Sequence, residues 1–248
     1  MNRADTSNAA DRPGILPGFA DPIHDAQRCF RAVLEAMAHP GKPVELAVLP
    51  PALYLNASMP PACLAGMVAV ALTLCDADTP VWLDPCLDTP AMRRHLRFHC
   101  GCPIVAEPGT ARFALIGDAI KMPRFDKFIA GDPEYPDRSA TLIIAADFTA
   151  AAPGLRLSGP GISPARYPHG LPFDPAGLPA WFWEDRAANR TGYPLGVDVL
   201  FVDSGQIDSG QTGSDAVRIA GLPRTTDAVP ASRAASGAFK ENTACTLQ

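Results

Sequence analysis

Lysine is scarce in this chain: Lys42, Lys121, Lys127 and Lys240 are the four present, against 26 acidic residues in 248. Each lies near a proline or a charge, or in the C-terminal tail, and none reads as a Schiff-base nucleophile. An excess of positive charge is missing as well. The net charge is −5 and the pI is near 5.5, which excludes the concentrated basic face that nucleic acid requires. Long apolar runs are absent too, since the longest, Cys63 to Cys75, is interrupted by Gly66 and Thr73 and is too short to span a bilayer. The first residues carry no basic-then-apolar signal pattern, so the expectation is a soluble, cytoplasmic protein. Seven cysteines at irregular spacing do not make a disulfide framework and read as reduced thiols, most of them buried.

Familiar catalytic signatures are missing in the same way. Ser139 and Ser158 stand in neither a Gly-x-Ser-x-Gly elbow nor a Ser-His-Asp order. Gly159-Pro-Gly161 is no phosphate cradle, because Pro160 has no N–H to offer and no Lys-Ser/Thr follows; it reads as a rigid turn. Cys100-Gly-Cys102, with His95 and His99 just before it, has too short a cysteine spacing for zinc and no second ligand pair at finger distance, so no metal site is expected. Asp76-Ala-Asp78-Thr79 could chelate magnesium or supply an acid-base pair, but Asp is equally at home in a turn before a strand.

What is present is an apolar content of 47%, enough for a real core, and 27 prolines, about twice the usual share. Proline is excluded from strand centres and helix interiors, so the chain should be built of many short elements joined by ordered turns. Residues 1–17 read as a flexible arm, 18–226 as a single α/β domain and 227–248 as a flexible tail. Asp21 should cap a helix opening at Pro22, with Ile23, Ala26, Phe30, Val33, Leu34 and Met37 on one face and His39-Pro-Gly41 as its stop. A strand at Val44–Leu49 precedes a helix at Pro61–Cys75 that is apolar nearly all round and so belongs in the interior. Pro80–Leu83 reads as a buried strand. Thr89 should cap a helix over Pro90–Cys100, with arginines and histidines on its exposed side.

Strands are expected at Arg112–Ile116, Ala140–Ala145 and Leu155–Leu157, with a short helix around Phe125–Ile129. An aromatic helix over Leu178–Ala188 carries Trp181, Phe182 and Trp183, whose consecutive positions cannot all face one side, so one ring should meet a second element or another subunit. Val197–Asp203 and Ala216–Ala220 should pair as an antiparallel hairpin across the Gly/Ser/Asp-rich segment 204–215. That pairing would bring Asn189, Arg190 and Arg224 to one end of the sheet, where they are the candidate anion ligands. The alternative is that these arginines cap carbonyls or pair with Asp198 and Asp185.

Seven segments taken in order resemble one known family. They are Phe30-Arg31 with Ala36-Met-Ala-His-Pro-Gly41, Leu72 to Leu83, Leu96 to Pro103, Gly131-Asp-Pro-Glu-Tyr-Pro136 with Ser139-Ala-Thr-Leu142, Gly159-Pro-Gly-Ile162, Tyr193-Pro-Leu-Gly-Val-Asp198 and Gly221-Leu-Pro-Arg-Thr-Thr226. Together they resemble the PhnH family, a subunit of the bacterial carbon-phosphorus lyase core complex, over about Gly18 to Thr226. The resemblance implies an α/β, three-layer fold with a mixed β-sheet, like a degraded large domain of PLP-dependent transferases, without the cofactor and its lysine. It also implies a homodimer in isolation and work with partner subunits PhnG, PhnI, PhnJ and PhnL. That system makes α-D-ribose 1-methylphosphonate 5-triphosphate from ATP and methylphosphonate, releasing adenine, with the nucleosidase chemistry attributed to PhnI and the iron-sulfur cluster to PhnJ. No catalytic residue is carried over. The expected role is structural, in assembly; the alternatives are a nucleotide or phosphonate site at Arg190 and Arg224, and a free-standing PLP or zinc enzyme.

Overall fold

Asp21 caps the first helix as its position predicts, its carboxylate accepting the backbone N–H of Ile23 and His24 at 3.2 and 3.1 Å. A computed structural model describes residues 17–50, 59, 61–147, 154–203 and 217–231. The expected arm before Pro17, the 204–215 segment and the tail beyond Ala231 lie outside them.

Helices α1 (Pro22–Ala38), α2 (Pro61–Leu74), α3 (Pro90–His99) and α4 (Phe182–Thr191) are interleaved with ten strands. These are β1 (Val44–Leu46), β2 (Val81–Leu83), β3 (Ile104–Val105), β4 (Phe113–Ile116), β5 (Thr141–Ala146), β6 (Leu155–Ser158), β7 (Leu171–Pro172), β8 (Asp198–Asp203), β9 (Val217–Leu222) and β10 (Asp227–Pro230). Seven strands form one sheet in the order β1-β9-β8-β5-β4-β2-β3. It is mixed: β8, β5, β4, β2 and β3 run parallel, while β9 lies antiparallel to both β8 and β1. A second sheet of three strands has the order β10-β6-β7.

Period-two alternation sorts the central strands onto two cores. On one face Ile143, Leu200, Val202 and Ile219 meet α1, α2 and α3; on the other Leu142, Ile144, Val199 and Phe201 meet α4, the 3-10 turn at Phe125–Lys127 and the small sheet. β8 is buried on both sides, each of its large apolar side chains contributing about 1.5–3 kcal/mol. α2 is buried from Cys63 to Ala71, as its all-round apolar sequence predicts. Among the described residues no helix is long and apolar enough to cross a membrane.

The face that α1 turns inward is only partly the expected one: Val33 is buried and Met37 packs against the core, both as expected. Cys29, Val33 and Ala36 are buried, while Ile23, Phe30 and Leu34 are 69%, 50% and 57% exposed. The reason is steric. A Cβ on Gly221 would lie 2.5 Å from the Ala36 carbonyl oxygen, so the helix rests directly on β9, and small side chains win over large ones at that contact.

Two further expectations are revised. His95 does not join the exposed side of α3 but is buried with Met92 and Leu96, its ring 4.5 Å from that of His99, because positions 92, 95 and 96 form the inward face. Asp227–Pro230, assigned to the tail, forms β10 against β6, the ladder running from Asp227↔Ser158 to Pro230↔Leu155. Of the aromatic trio, Phe182 is fully buried, edge-on to Phe125 at 5.2 Å and against Phe201 at 5.9 Å, while Trp181 lies under the Arg124 guanidinium at 5.3 Å.

Candidate functional site

The β8–β9 pairing brings Asn189, Arg190 and Arg224 to the end of the sheet where β5 and β8 begin. Arg224 stands just past β9 and reaches across the start of β8. Its Nε donates to both oxygens of Asp198 at 3.2 Å, and Nη2 donates to Asp198 Oδ2 at 2.5 Å and to Ser139 Oγ. Nη1 donates to the carbonyls of Pro136 at 2.8 Å and Pro194 at 3.3 Å. A guanidinium has five N–H groups, and each of these meets an acceptor in the protein. The backbone N–H of Arg224 also donates to Asp198, at 2.7 Å.

Asn189 acts as a clip. Its Nδ2 donates to the Val197 carbonyl at 2.9 Å and its Oδ1 accepts the Val197 N–H at 2.7 Å, so the side chain imitates a strand partner. Gly196, at φ +127°, is required beside it, since a Cβ there would fall 2.5 Å from Asn189 Oδ1. Arg190 differs. It forms an ion pair with Asp227 at 3.2 Å, not aligned as a hydrogen bond, and its guanidinium sits 5.7 Å from the centre of the Tyr193 ring. A shallow cavity of about 270 Å³ opens beside this group, lined in part by Tyr193, Asp198, Arg224 and Thr225.

One member of the cluster escapes sequence reasoning. Arg186 is 1% exposed, and its Nη2 donates to the carbonyls of Pro223 and Thr226. Its Nε and Nη1, and the hydroxyl of Thr226, meet no acceptor or donor among the described residues. Burial pulls its pKa down to about 10, opposed by the charges of Asp198 and Asp227. It therefore remains a cation at neutral pH. The signal that could have found it is its place one helical turn before Arg190, on the same side of α4.

The opposite end of the parallel strands is where open α/β sheets usually hold ligands. Here Asp84, directly after β2, accepts the N–H groups of Leu87, Gly117 and Asp118 at 2.9, 2.8 and 2.8 Å, and the Cys86 thiol at 3.4 Å. These contacts tie the ends of β2 and β4 together. Asp76 and Thr79 bond within their own turn, Asp78 N–H to Asp76 Oδ1 at 3.0 Å and Asp76 N–H to Thr79 Oγ1 at 2.6 Å. Among the described residues no group of three His, Cys, Asp or Glu side chains could hold a metal ion. Cys102 is drawn down by a hydrogen bond from Cys100, whose own thiol is pushed up by the same contact and by burial.

Residues 17–229 match the family described as bacterial phosphonate metabolism protein (PhnH). The chain belongs to that family. It is 37% identical over 209 residues, 84% of this chain and 92% of the relative, to the alpha-D-ribose 1-methylphosphonate 5-triphosphate synthase subunit PhnH of Rhizobium meliloti (strain 1021). It is also 30% identical over 96 residues, 39% of this chain and 40% of the relative, to the putative C-P lyase subunit protein HtxG of Stutzerimonas stutzeri.

The segments that carry the family resemblance converge in space. Arg224 alone joins Gly221–Thr226 to Asp198, Pro194, Pro136 and Ser139, which come from two others. Gly161, at φ +84°, packs on the Ala38 carbonyl, and Gly41 donates its N–H to the Gly221 carbonyl at 2.9 Å. The pattern read from sequence is thus a frame of turns locked through backbone carbonyls.

Proposed function

We propose that this protein is a subunit of the α-D-ribose 1-methylphosphonate 5-triphosphate synthase of the carbon-phosphorus lyase system, and that its work there is assembly rather than catalysis on its own. Family membership and the subunit names of both relatives support the first part. The observation that carries the second is Arg224: the arginine best placed to hold a phosphonate gives all five N–H groups to the protein's own acceptors. In this reading the chain works in the cytoplasm with PhnG, PhnI, PhnJ and PhnL, in a complex that makes the ribose 1-methylphosphonate 5-triphosphate from ATP and methylphosphonate and releases adenine. The likeness to a PLP-dependent transferase large domain belongs to the same reading, and the mixed sheet with layers packed on both faces is what supports it.

The test is co-expression of this chain with PhnG, PhnI and PhnJ. The subunits should co-purify, and omitting the chain should lower adenine release from ATP and methylphosphonate. Unchanged adenine release together with no co-purification would sink the reading. A homodimer in the absence of partners is also expected, the exposed Ile23, Phe30 and Leu34 offering apolar surface; light scattering that returns the 26.2 kDa monomer at all micromolar concentrations would contradict it.

A second reading is favoured by Arg190, whose guanidinium is less committed than that of Arg224. It makes Asn189, Arg190 and Arg224 the residues of a nucleotide or phosphonate site, of which Arg224 lines the cavity beside Tyr193. Calorimetric titration with ATP and with methylphosphonate decides it: heat abolished by Arg190→Ala supports the site, and no heat with retained partner binding removes it.

A further inference from the structure

Several arginines of the molecule are held by ion pairs, and two on the outer face of α3 are not. Arg124 pairs with Asp185, Arg218 with Asp203, Arg224 with Asp198, and on α3 itself Arg93 with Asp88. Arg94 and Arg97 have neither an ion pair nor a hydrogen bond among the described residues, and both are exposed. Phe98, beside them, is 64% exposed. Residues 90, 94, 97 and 98 share one side of a helix, and together with Arg93 they line a depression of about 560 Å³. The sequence of α3, Pro-Ala-Met-Arg-Arg-His-Leu-Arg-Phe-His, contains no carboxylate. The surface is thus a local cationic and aromatic patch on a chain whose net charge is −5.

We propose that this face, Arg94, Arg97 and Phe98, docks a partner subunit through carboxylates set around an apolar socket. The proposal rests on the assembly reading above and names the surface that carries it out. Arginine and aromatic side chains dominate the binding energy of protein interfaces, because the ring supplies rigid apolar area and the guanidinium a planar fork that matches a carboxylate. Two unpaired guanidinium groups beside an exposed ring therefore fit an acidic partner by charge complementarity.

Other occupants fit less well. A second copy meeting this face across a two-fold axis would set arginine against arginine. A nucleic acid or an anionic membrane calls for a larger basic field, on the order of four to eight clustered residues for a membrane, and the chain is acidic with a pI near 5.5.

The experiment uses the full chain and the purified PhnG, PhnI and PhnJ assembly, with binding measured by interferometry at low and high salt. Arg94→Glu/Arg97→Glu and Phe98→Ala are surface changes and should leave the melting temperature of the chain unaltered. The wild type should bind with an affinity that falls as salt rises. The double charge reversal should weaken binding about 100-fold and remove most of the salt dependence. Phe98→Ala should weaken it about 10-fold with the salt dependence kept, and Arg94→Lys/Arg97→Lys should keep the salt dependence and weaken binding less than the charge reversal does.

Wild-type affinity in the charge-reversed variant would overturn this face while leaving the assembly reading intact. No binding by the wild type would remove both. A variant that loses self-association but keeps partner affinity would assign the face to a second copy and overturn the proposal.

Discussion

Arg224 shows how one side chain can be legible as important and still be ambiguous in role. Its place after an apolar strand in Gly221-Leu-Pro-Arg-Thr-Thr226 marks it in the sequence, as does the partner carboxylate Asp198. Whether its donors meet an anion or the carbonyls of Pro136 and Pro194 depends on contacts 88 and 30 residues away, which no local pattern encodes. Asn189 is similar: the clip on Val197 becomes visible only when the turn between them is closed. Arg224→Lys keeps the charge but not the fork, and it leaves Asp198, Ser139 and the two carbonyls under-satisfied. The expected loss is about 3 kcal/mol of stability, or a melting temperature lower by roughly 6–12 °C, with Arg224→Met at least as severe. Calorimetric melting checks it. A change below about 1 °C would show that the knot contributes little and would return Arg224 to the list of candidate ligands.

At the scale of elements, the sequence announces where helices and strands occur but not always how they turn. Asp21, Thr89, Gly101 and the apolar run of α2 place their helices to within a residue or two, since caps and burial act locally. The inward face of α1 is only partly legible, with Val33 placed correctly and Ile23, Phe30 and Leu34 not, because the helix has apolar residues on two sides and Gly221 on a distant strand decides between them. β7 and β10 are missed because short edge strands containing proline carry almost no periodic signal. The helix–sheet contact makes a direct prediction. Gly221→Ala puts a methyl group against the Ala36 and Met37 backbone, and the rigid helix has nowhere to yield but away from β9. A loss of about 1–3 kcal/mol is expected from such overpacking, read as a lower urea midpoint with little change in slope. Gly101→Ala is the control: its left-handed φ of +69° carries a strain cost, but the nearest atom to the added Cβ is 3.9 Å away, so its effect should be the smaller of the two. A loss at Gly221 no larger than that at Gly101 would show that the contact with α1 yields at little cost.

At the scale of the whole molecule, one sheet separates two cores and couples its stability to buried thiols. The fold class was legible because alternating β and α segments with fully apolar strands have few other solutions; the second sheet was not, because β7 is only Leu171–Pro172 and β10 joins β6 from far along the chain. The scarcity of charge inside the helical core leaves cysteines there as the titratable groups that respond to alkaline pH. Cys63, on α2, is fully buried, and removal from water, reinforced by the negative charge of Asp203, pushes its pKa up from 9.0 to about 12. In the unfolded chain the thiol ionises near 9 and stabilises that state, while the folded thiol stays protonated. Its contribution to stability is therefore complete below pH 9 and is lost as the pH rises from 9 through 12. The slope from this one thiol is about 1.4 kcal/mol per pH unit, or on the order of 3 kcal/mol by pH 11. Urea unfolding between pH 8 and pH 11 should show falling stability in the wild type and a shallower fall in Cys63→Ala, whose other titrating groups are the same. Parallel slopes in the two proteins would mean that Cys63 ionises in the folded state, and that the interior of α2 is wetter than its burial implies.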